Sequence, residues 1–376
     1  MKILVISHEY PPIGGGGGRI IQDLCEGMAS PTNQFYILSS HHGDLPRLES
    51  QEFLTIERLH VRRDTAYRAS LKSMFLFVMK SFFRSQQIMR IFKPDLIHAH
   101  FAVPGGASAA LAAKCSSKPL VLTIHGGDVP GGAPEKTDRW FRFIKPFTGY
   151  IWRSASRIIA VSDASRQLAL AHYPVNIKVI ANGIDRSQFM KKNNNVSIPP
   201  KILFIGRFSP EKNAIAVPKI LNKLSDLAYD CTMVGDGPQM DEVIETVQQF
   251  QLTKRVHLSG WLRQSQVNQE LIESDILIMP SLRESMPMVG LQALAAGNAL
   301  IMSNVGACPE MVDEGKNGYL IPINDIDAYA SALRKLLESH EKLFDFKKRS
   351  QEKSAAFDID DVLDKYRHVY QEVITR

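Results

Sequence analysis

Four short stretches of this chain combine residue types suited to an anionic, hydroxylated ligand. In Pro280–Gly297, PSLRESMPMVGLQALAAG, Glu284 stands in a polar turn after the apolar run Ile276–Met279, and Gln292 follows eight residues later among helix formers. A helix starting at such a turn offers unpaired backbone N–H groups and its positive dipole end to an anion. In Gly206–Asn213, GRFSPEKN, Arg207 and Lys212 lie five residues apart around a turn. Two cations in an arbitrary loop are solvated surface charges. Directly after a buried strand and Gly206 they become diphosphate ligands, the guanidinium as a fork and the ammonium as a point charge. His125-Gly126-Gly127-Asp128 ends another apolar run. There His125 is either a core residue with a satisfied ring or an active-site group, and the strand-end position favours the second. Asp128 suits sugar or acceptor hydroxyls and equally suits a helix cap. Finally, Gly14–Gly18 are five consecutive glycines before the helix-like Arg19–Met28. Backbone without Cβ atoms approaches phosphate closely, although a flexible loop would have the same composition.

Other chemistries fit less well. A nicotinamide site needs GxGxxG straight after the first strand and an acid ending the second. Here His8–Ile13 intervenes, and the second strand ends in Ser39-Ser40-His41-His42. His98 and His100 share one face of a strand, but no further ligand is near in sequence, so a lining or structural role is expected. Asp-x-Asp occurs at Asp325–Asp327 and Asp358–Asp360, in helix-start or surface contexts, and no metal is expected. Cys25, Cys115, Cys231 and Cys308 are scattered without CxxC, which reads as small buried thiols in a reducing cytoplasm. MKILVIS reads as a first strand, not a signal peptide, and Met74–Met79 is too short to span a bilayer.

The elements that must position these groups follow from the apolar pattern. KILVIS, QFYILSS, DLIHAH, PLVLTIH and RIIAVS alternate with helix-like segments, and KILFIG, CTMVGDG, RVHLSG, DILIMP and ALIMSN repeat the arrangement. Runs apolar on both faces suit parallel strands covered by helices. The expected fold is therefore α/β, with two Rossmann-like doubly wound parallel-sheet domains, at residues 1–184 and 200–357. Residues 185–199, with KKNNN and a Pro pair, read as the linker. The chemically interesting residues cluster at strand ends, where open parallel sheets bind ligands.

The loop carrying Glu284 resembles the signature of retaining, nucleotide-sugar-dependent glycosyltransferases of family 4. Further matches are Tyr10-Pro11-Pro12-Ile13-Gly14-Gly15-Gly16 to YPPxxGG, GRFSPEKN, VIANGID at Val179–Asp185, VGDGP at Val234–Pro238 and the Asn304–Glu310 loop. The resemblance spans nearly the whole chain. It implies the GT-B fold, its two domains facing a cleft, with the last helix, about 358–376, crossing back onto the first domain. It also implies a donor on the second domain. Arg207 and Lys212 would take the diphosphate, Glu284 and His125 the sugar, and Gly260, Trp261 and Leu262 the base. Backbone groups of Ser285, Met286, Pro287, Met288 and Val289 would receive phosphate oxygens, Pro287 itself having no N–H. Gly15, Gly16 and Gly17 would close over the diphosphate and acceptor, and Tyr10, His100 and Asp128 are candidate acceptor contacts. The family usually has a second acid where this chain has Gln292. Its amide still accepts a ribose hydrogen bond but loses charge assistance, a difference of about 1 kcal/mol.

Charge is divided unevenly. Residues 1–184 carry 22 Lys+Arg against 13 Asp+Glu, whereas the rest carries 23 against 26. In Arg62–Lys93 eight basic residues face one acid, Asp64, and interleave with Met74, Phe75, Leu76, Phe77, Phe82, Phe83, Ile88 and Phe92. Such a helix either lies on anionic lipid or packs on the sheet with a solvated basic face. Trp140–Lys145 adds a second aromatic-basic patch. The expected partners are a UDP- or GDP-sugar, a lipid-linked or glycan acceptor and an anionic membrane at its cytoplasmic side, with no nucleic acid. The expected activity is hexosyl transfer in exopolysaccharide or envelope synthesis. The alternative is a catalytically weak nucleotide-sugar-binding subunit that regulates a partner. A glycan phosphorylase would need a pyridoxal-phosphate lysine, for which there is no convincing candidate.

Overall fold

The structure, a computed structural model, describes all residues except 67–68, 133–143, 145–147, 190–194 and 376. The aromatic-basic patch at Trp140–Lys145 lies almost wholly outside the described residues. The chain forms two compact units, Met1–Asn182 with Asp360–Arg376, and Gly183–Ile359.

The first unit is built on an eight-stranded sheet. Its strands are β1 (Lys2–Ile6), β2 (Gln34–Ser40), β3 (Leu48–Ser50), β4 (Leu54–Leu59), β5 (Leu96–His100), β6 (Leu120–Ile124), β7 (Arg157–Ala160) and β8 (Ile177–Val179). They lie in the order β3-β4-β2-β1-β5-β6-β7-β8. All pairings are parallel except β3 with β4, a short antiparallel edge. From β1 the chain steps outward to β2, and later to β5 on the other side. The strand order therefore reverses at β1/β5, the place where such sheets open a ligand crevice. β1, β5 and β6 are buried on both faces, which is why they read as continuous apolar runs. The final helix, Ile359–Ile374, contributes Leu363, Tyr366, Val369 and Tyr370 to this unit's interior. A Cβ on Gly27 would lie 2.6 Å from Leu363 Cδ1, so this helix seats where that side chain is missing.

The second unit has six parallel strands, β9 (Lys201–Ile205), β10 (Asp230–Val234), β11 (Val256–Gly260), β12 (Ile276–Met279), β13 (Ala299–Ser303) and β14 (Gly318–Ile321). Their order is β11-β10-β9-β12-β13-β14, so the reversal falls at β9/β12. Residues 185–199, which the sequence suggests as a connector, lie within this unit. Phe189 is buried, Ser197 N–H donates to Asp275 Oδ2 at 3.2 Å, and Lys347 Nζ donates to the Asn195 carbonyl at 2.9 Å. Asp275 and Lys347 are themselves a fully buried ion pair. Backbone groups of Asn195 and Ser197 thus tie the described end of this stretch to the pair.

The four cysteines are free thiols. Cys25, Cys231 and Cys308 are buried, whereas Cys115 is exposed on the last turn of the helix Ala107–Ser116. Among the described residues no helix is long and apolar enough to cross a membrane.

Candidate functional site

In the second unit the crevice at the β9/β12 reversal gathers two of the sequence-selected loops. β9 delivers Gly206 and Arg207, and the following turn brings Lys212 to Glu284, Nζ to Oε1 2.6 Å. The carboxylate is buried and the ammonium about one-third exposed. Glu284, which has only Arg283 as a cation within its own loop, thus takes its partner from the neighbouring strand's loop. Two further bonds join the loops. Leu282 N–H donates to the Glu211 carbonyl at 2.8 Å, and Asn213 Nδ2 donates to the Pro280 carbonyl at 3.2 Å. Asn213 has φ +53°, the left-handed conformation that Asn tolerates better than most residues.

The Glu284 backbone is fixed from a third side. Gly306 has φ +54°, and a Cβ there would lie 1.6 Å from the Glu284 carbonyl oxygen. Only glycine permits that approach. Beyond Glu284 the helix Met288–Ala296 begins, with Pro287 as its N-cap and no acid in its first turn. Its first-turn N–H groups, on Met288 and Val289, have no partner within the helix by its geometry. Gln292 lies one turn in and is buried. At the end of β11, Gly260 has φ +68° with open space beside it, and Trp261 is 59% exposed.

The first unit builds a different site at its own reversal. β1, β5 and β6 end in His8, His98 with His100, and His125, all buried. His100 Nδ1 and His125 Nε2 share a hydrogen bond of 3.1 Å. His98 bonds the Tyr370 hydroxyl at 2.7 Å and Thr123 Oγ1 at 2.8 Å. Burial holds His8, His98 and His125 down at about 3, with Arg63 adding to the effect on His8, and lowers His100 strongly. All four rings are therefore neutral near pH 7. His125 Nδ1 is buried without a hydrogen-bond partner. A Cβ on Gly17 would lie 2.7 Å from the Phe101 ring and 3.7 Å from that nitrogen. The glycine thus keeps clear the space that the unpaired imidazole nitrogen borders.

The other candidate acceptor contacts are placed differently. Asp128 Oδ1 accepts from His125 N–H at 2.9 Å and Oδ2 from Ala102 N–H at 2.5 Å, so both oxygens clamp backbone. Burial raises its pKa, and these N–H bonds oppose the rise. His100 is fully buried, with Nδ1 bonded to His125 and Nε2 without a hydrogen-bond partner. Tyr10 is 2% exposed, and its buried hydroxyl has no hydrogen-bond partner. Gly15 is the N-cap of the helix Gly16–Met28, and its N–H donates to Glu9 Oε2 at 3.4 Å. A carboxylate therefore already sits at the start of that helix, on the side where the glycine run alone suggests a phosphate.

Two family models meet in this chain. "Glycosyltransferase Family 4" matches residues 14–188, and "Glycosyl transferases group 1" matches residues 185–353. The chain belongs to glycosyltransferase family 4. This glycosyltransferase is 28% identical, over 68% of its length and 69% of the relative's, to an Escherichia coli UDP-Gal:alpha-D-GlcNAc-diphosphoundecaprenol alpha-1,3-galactosyltransferase. Its fold matches a sucrose-phosphate synthase from Thermosynechococcus elongatus with TM-score 0.82 at 18% identity, covering 100% and 99% of the two chains. It also matches HepE from Anabaena, solved with UDP, with TM-score 0.78 at 19% identity over 99% and 100%. The fold is GT-B, and the protein is an enzyme of the transferase class.

Three residues of the two crevices carry no clear signal in the sequence. His8 looks like a strand terminator, yet it joins the imidazole cluster because β1 and β5 are neighbours. Gly306 looks like any turn glycine, and its role depends on contact with Glu284 22 residues away. Asn213 stands inside GRFSPEKN, but its left-handed backbone and its bond to the Pro280 carbonyl appear only in the fold.

Proposed function

We propose that this glycosyltransferase transfers a hexose, with retention of anomeric configuration, from a nucleotide-diphospho-sugar to an acceptor hydroxyl. UDP is the first choice of nucleotide and GDP the second. The observation that carries the reading is the Lys212–Glu284 contact at the β9/β12 crevice, in the loop that follows β9. In a nucleotide sugar the outer phosphate and the hexose hydroxyls are adjacent. A cation and a carboxylate 2.6 Å apart match that adjacency, the ammonium turning to phosphate and the carboxylate to hydroxyls. Arg207 adds the fork for the diphosphate, Trp261 offers an exposed aromatic face for the base, and the N–H groups of Met288 and Val289 receive phosphate oxygens.

The C1–phosphate oxygen bond breaks as the C1–acceptor oxygen bond forms on the same face. The departing phosphate oxygen takes the acceptor proton. Arg207 and Lys212 stabilise the charge that develops on the diphosphate, so transfer needs no divalent cation. The neutral His125 of the first unit donates to or accepts from a sugar hydroxyl. The acceptor is lipid-linked or a growing glycan, in exopolysaccharide or envelope synthesis, as the galactosyltransferase relative and the basic first unit suggest. Work at the cytoplasmic side of a membrane, with the Arg62–Lys93 region against anionic lipid, completes the reading.

Thermal-shift titration with UDP-, GDP- and ADP-sugars, followed by NMR of the product's anomeric proton, tests it. Stabilisation by a UDP- or GDP-sugar and a retained anomeric configuration are expected. An inverted product, or no stabilisation by any of the three, overturns it. Gln292 in the usual acid's place favours a second reading, a weakly catalytic regulatory subunit. Multiple turnovers by the isolated chain would dismiss that reading.

A further inference from the structure

The helix Leu71–Ile91 has two apolar faces, and the sheet uses one of them. Phe77 and Ile88 are buried against the first unit's core, with Ser73, Ser81 and Ser85 beside them. On the outer side Leu71, Phe75, Met79 and Phe83 recur every fourth residue and are between 40% and 65% exposed. At 1.5 Å per residue they form a stripe about 18 Å long. Ile91 is also exposed and ends the same helix, whereas Leu48, Leu111 and Leu170 come from separate elements. The 21-residue helix contains no acid. Lys72, Lys80 and Arg90 share the exposed side with the stripe, Lys80 also reaching the His60 carbonyl at 2.7 Å. Arg84 is turned away to Glu57.

A contiguous apolar stripe of this size marks an interaction surface. Charge decides the occupant. A second copy of the chain would bring cations against cations along the stripe, whereas an anionic lipid surface pairs every one of them. We propose that this outer face lies flat in the headgroup–acyl boundary of an anionic membrane. Leu71, Phe75, Met79 and Phe83 reach below the headgroups, and Lys72, Lys80 and Arg90 extend their charged ends to lipid phosphates. The inference rests on the membrane contact proposed above and goes beyond it. The four apolar side chains hold the enzyme there, and the cations bring it there.

Flotation of the full chain with phosphatidylcholine vesicles, with and without phosphatidylglycerol, tests this. The protein should float with the anionic vesicles and keep part of that binding in high salt, because apolar insertion is not screened. The double variant Phe75→Ser/Phe83→Ser should lose at least about tenfold in partitioning, since each ring no longer leaves water. Its melting temperature should not fall, because both positions face outward. Phe75→Trp should show a blue-shifted emission on vesicles. Variant binding equal to wild type, with all binding lost in high salt, overturns the apolar face and leaves a purely ionic contact. No binding of the wild type to any vesicle overturns the membrane reading with it. A wild-type dimer that the double variant converts to monomer assigns the stripe to a second copy and overturns the proposal.

Discussion

The two units use the same topological device and fill it with opposite electrostatics. Each sheet reverses strand order beside a central strand, β1 in the first unit and β9 in the second, and each collects candidate functional side chains there. In the second unit the crevice holds full charges, a lysine against a glutamate. In the first it holds four imidazoles that burial keeps neutral. A diphosphate rewards fixed positive charge, because charge-assisted hydrogen bonds are about twice as strong as neutral ones. A hydroxyl needs only a donor or acceptor at the right place, which a neutral ring supplies without the cost of burying an ion. One fold thus hosts a crevice lined by a lysine–glutamate pair and a crevice lined by neutral imidazoles, and the difference is set by which residues end the strands.

Substitutions separate the halves most sharply where charge is removed. Arg207→Ala and Lys212→Ala should each cost about ten- to a hundredfold in kcat/KM, and together about 10²–10⁴-fold, from charged contacts worth about 1.5–3 kcal/mol each. Single-turnover assays read this directly. If the double variant retains wild-type turnover, the charged half is not the diphosphate site. Gly306→Ala should displace the Glu284 backbone, lowering both the melting temperature and activity, and a loss above about 2 kcal/mol fits the 1.6 Å approach. In the neutral half His125→Ala should reduce turnover by only about two- to tenfold, the range of one neutral hydrogen bond.

The pH dependence of stability sharpens the contrast further. Imidazoles lowered to about 3 in the fold bind protons only when the chain unfolds, from the ordinary histidine value downward. Their stabilising effect is complete above about pH 6.5 and is lost as pH falls toward 3. Each group contributes a slope of up to about 1.4 kcal/mol per pH unit in that window. His98→Gln should flatten the melting-temperature profile between pH 6 and about 4 in this window. An unchanged profile would mean that the cluster is already protonated in the fold. The smallest effect is expected at Gln292. Gln292→Glu should tighten nucleotide binding by about fivefold and Gln292→Ala should weaken it, from a difference of about 1 kcal/mol. Equal affinity in both, by calorimetry, would detach the position from ribose.

Ten of the fourteen described strands are legible as apolar runs, most of them because strands buried on both faces cannot hide their composition. The four that escape are instructive. β3, β8 and β14 are three or four residues long, too short for a pattern. β4, LTIERL, alternates buried and half-buried positions, so its polar members dilute the signal. In the site, Arg207, Lys212, Glu284 and His125 are legible because each ends a strand or opens the following loop. Tyr10 reads as a ligand contact from its motif, and its burial is something the motif does not announce.

Local sequence determined the two-unit α/β class, the strand-end placement of the functional groups and the charge difference between the halves. These are properties of composition and periodicity within a few residues. Tertiary structure alone decided that Lys212 meets Glu284, that Gly306 braces it, that four histidines converge, and which face of the Leu71–Ile91 helix stays uncovered. Each of those depends on which strands become neighbours, and hydrogen bonding between distant segments sets that order.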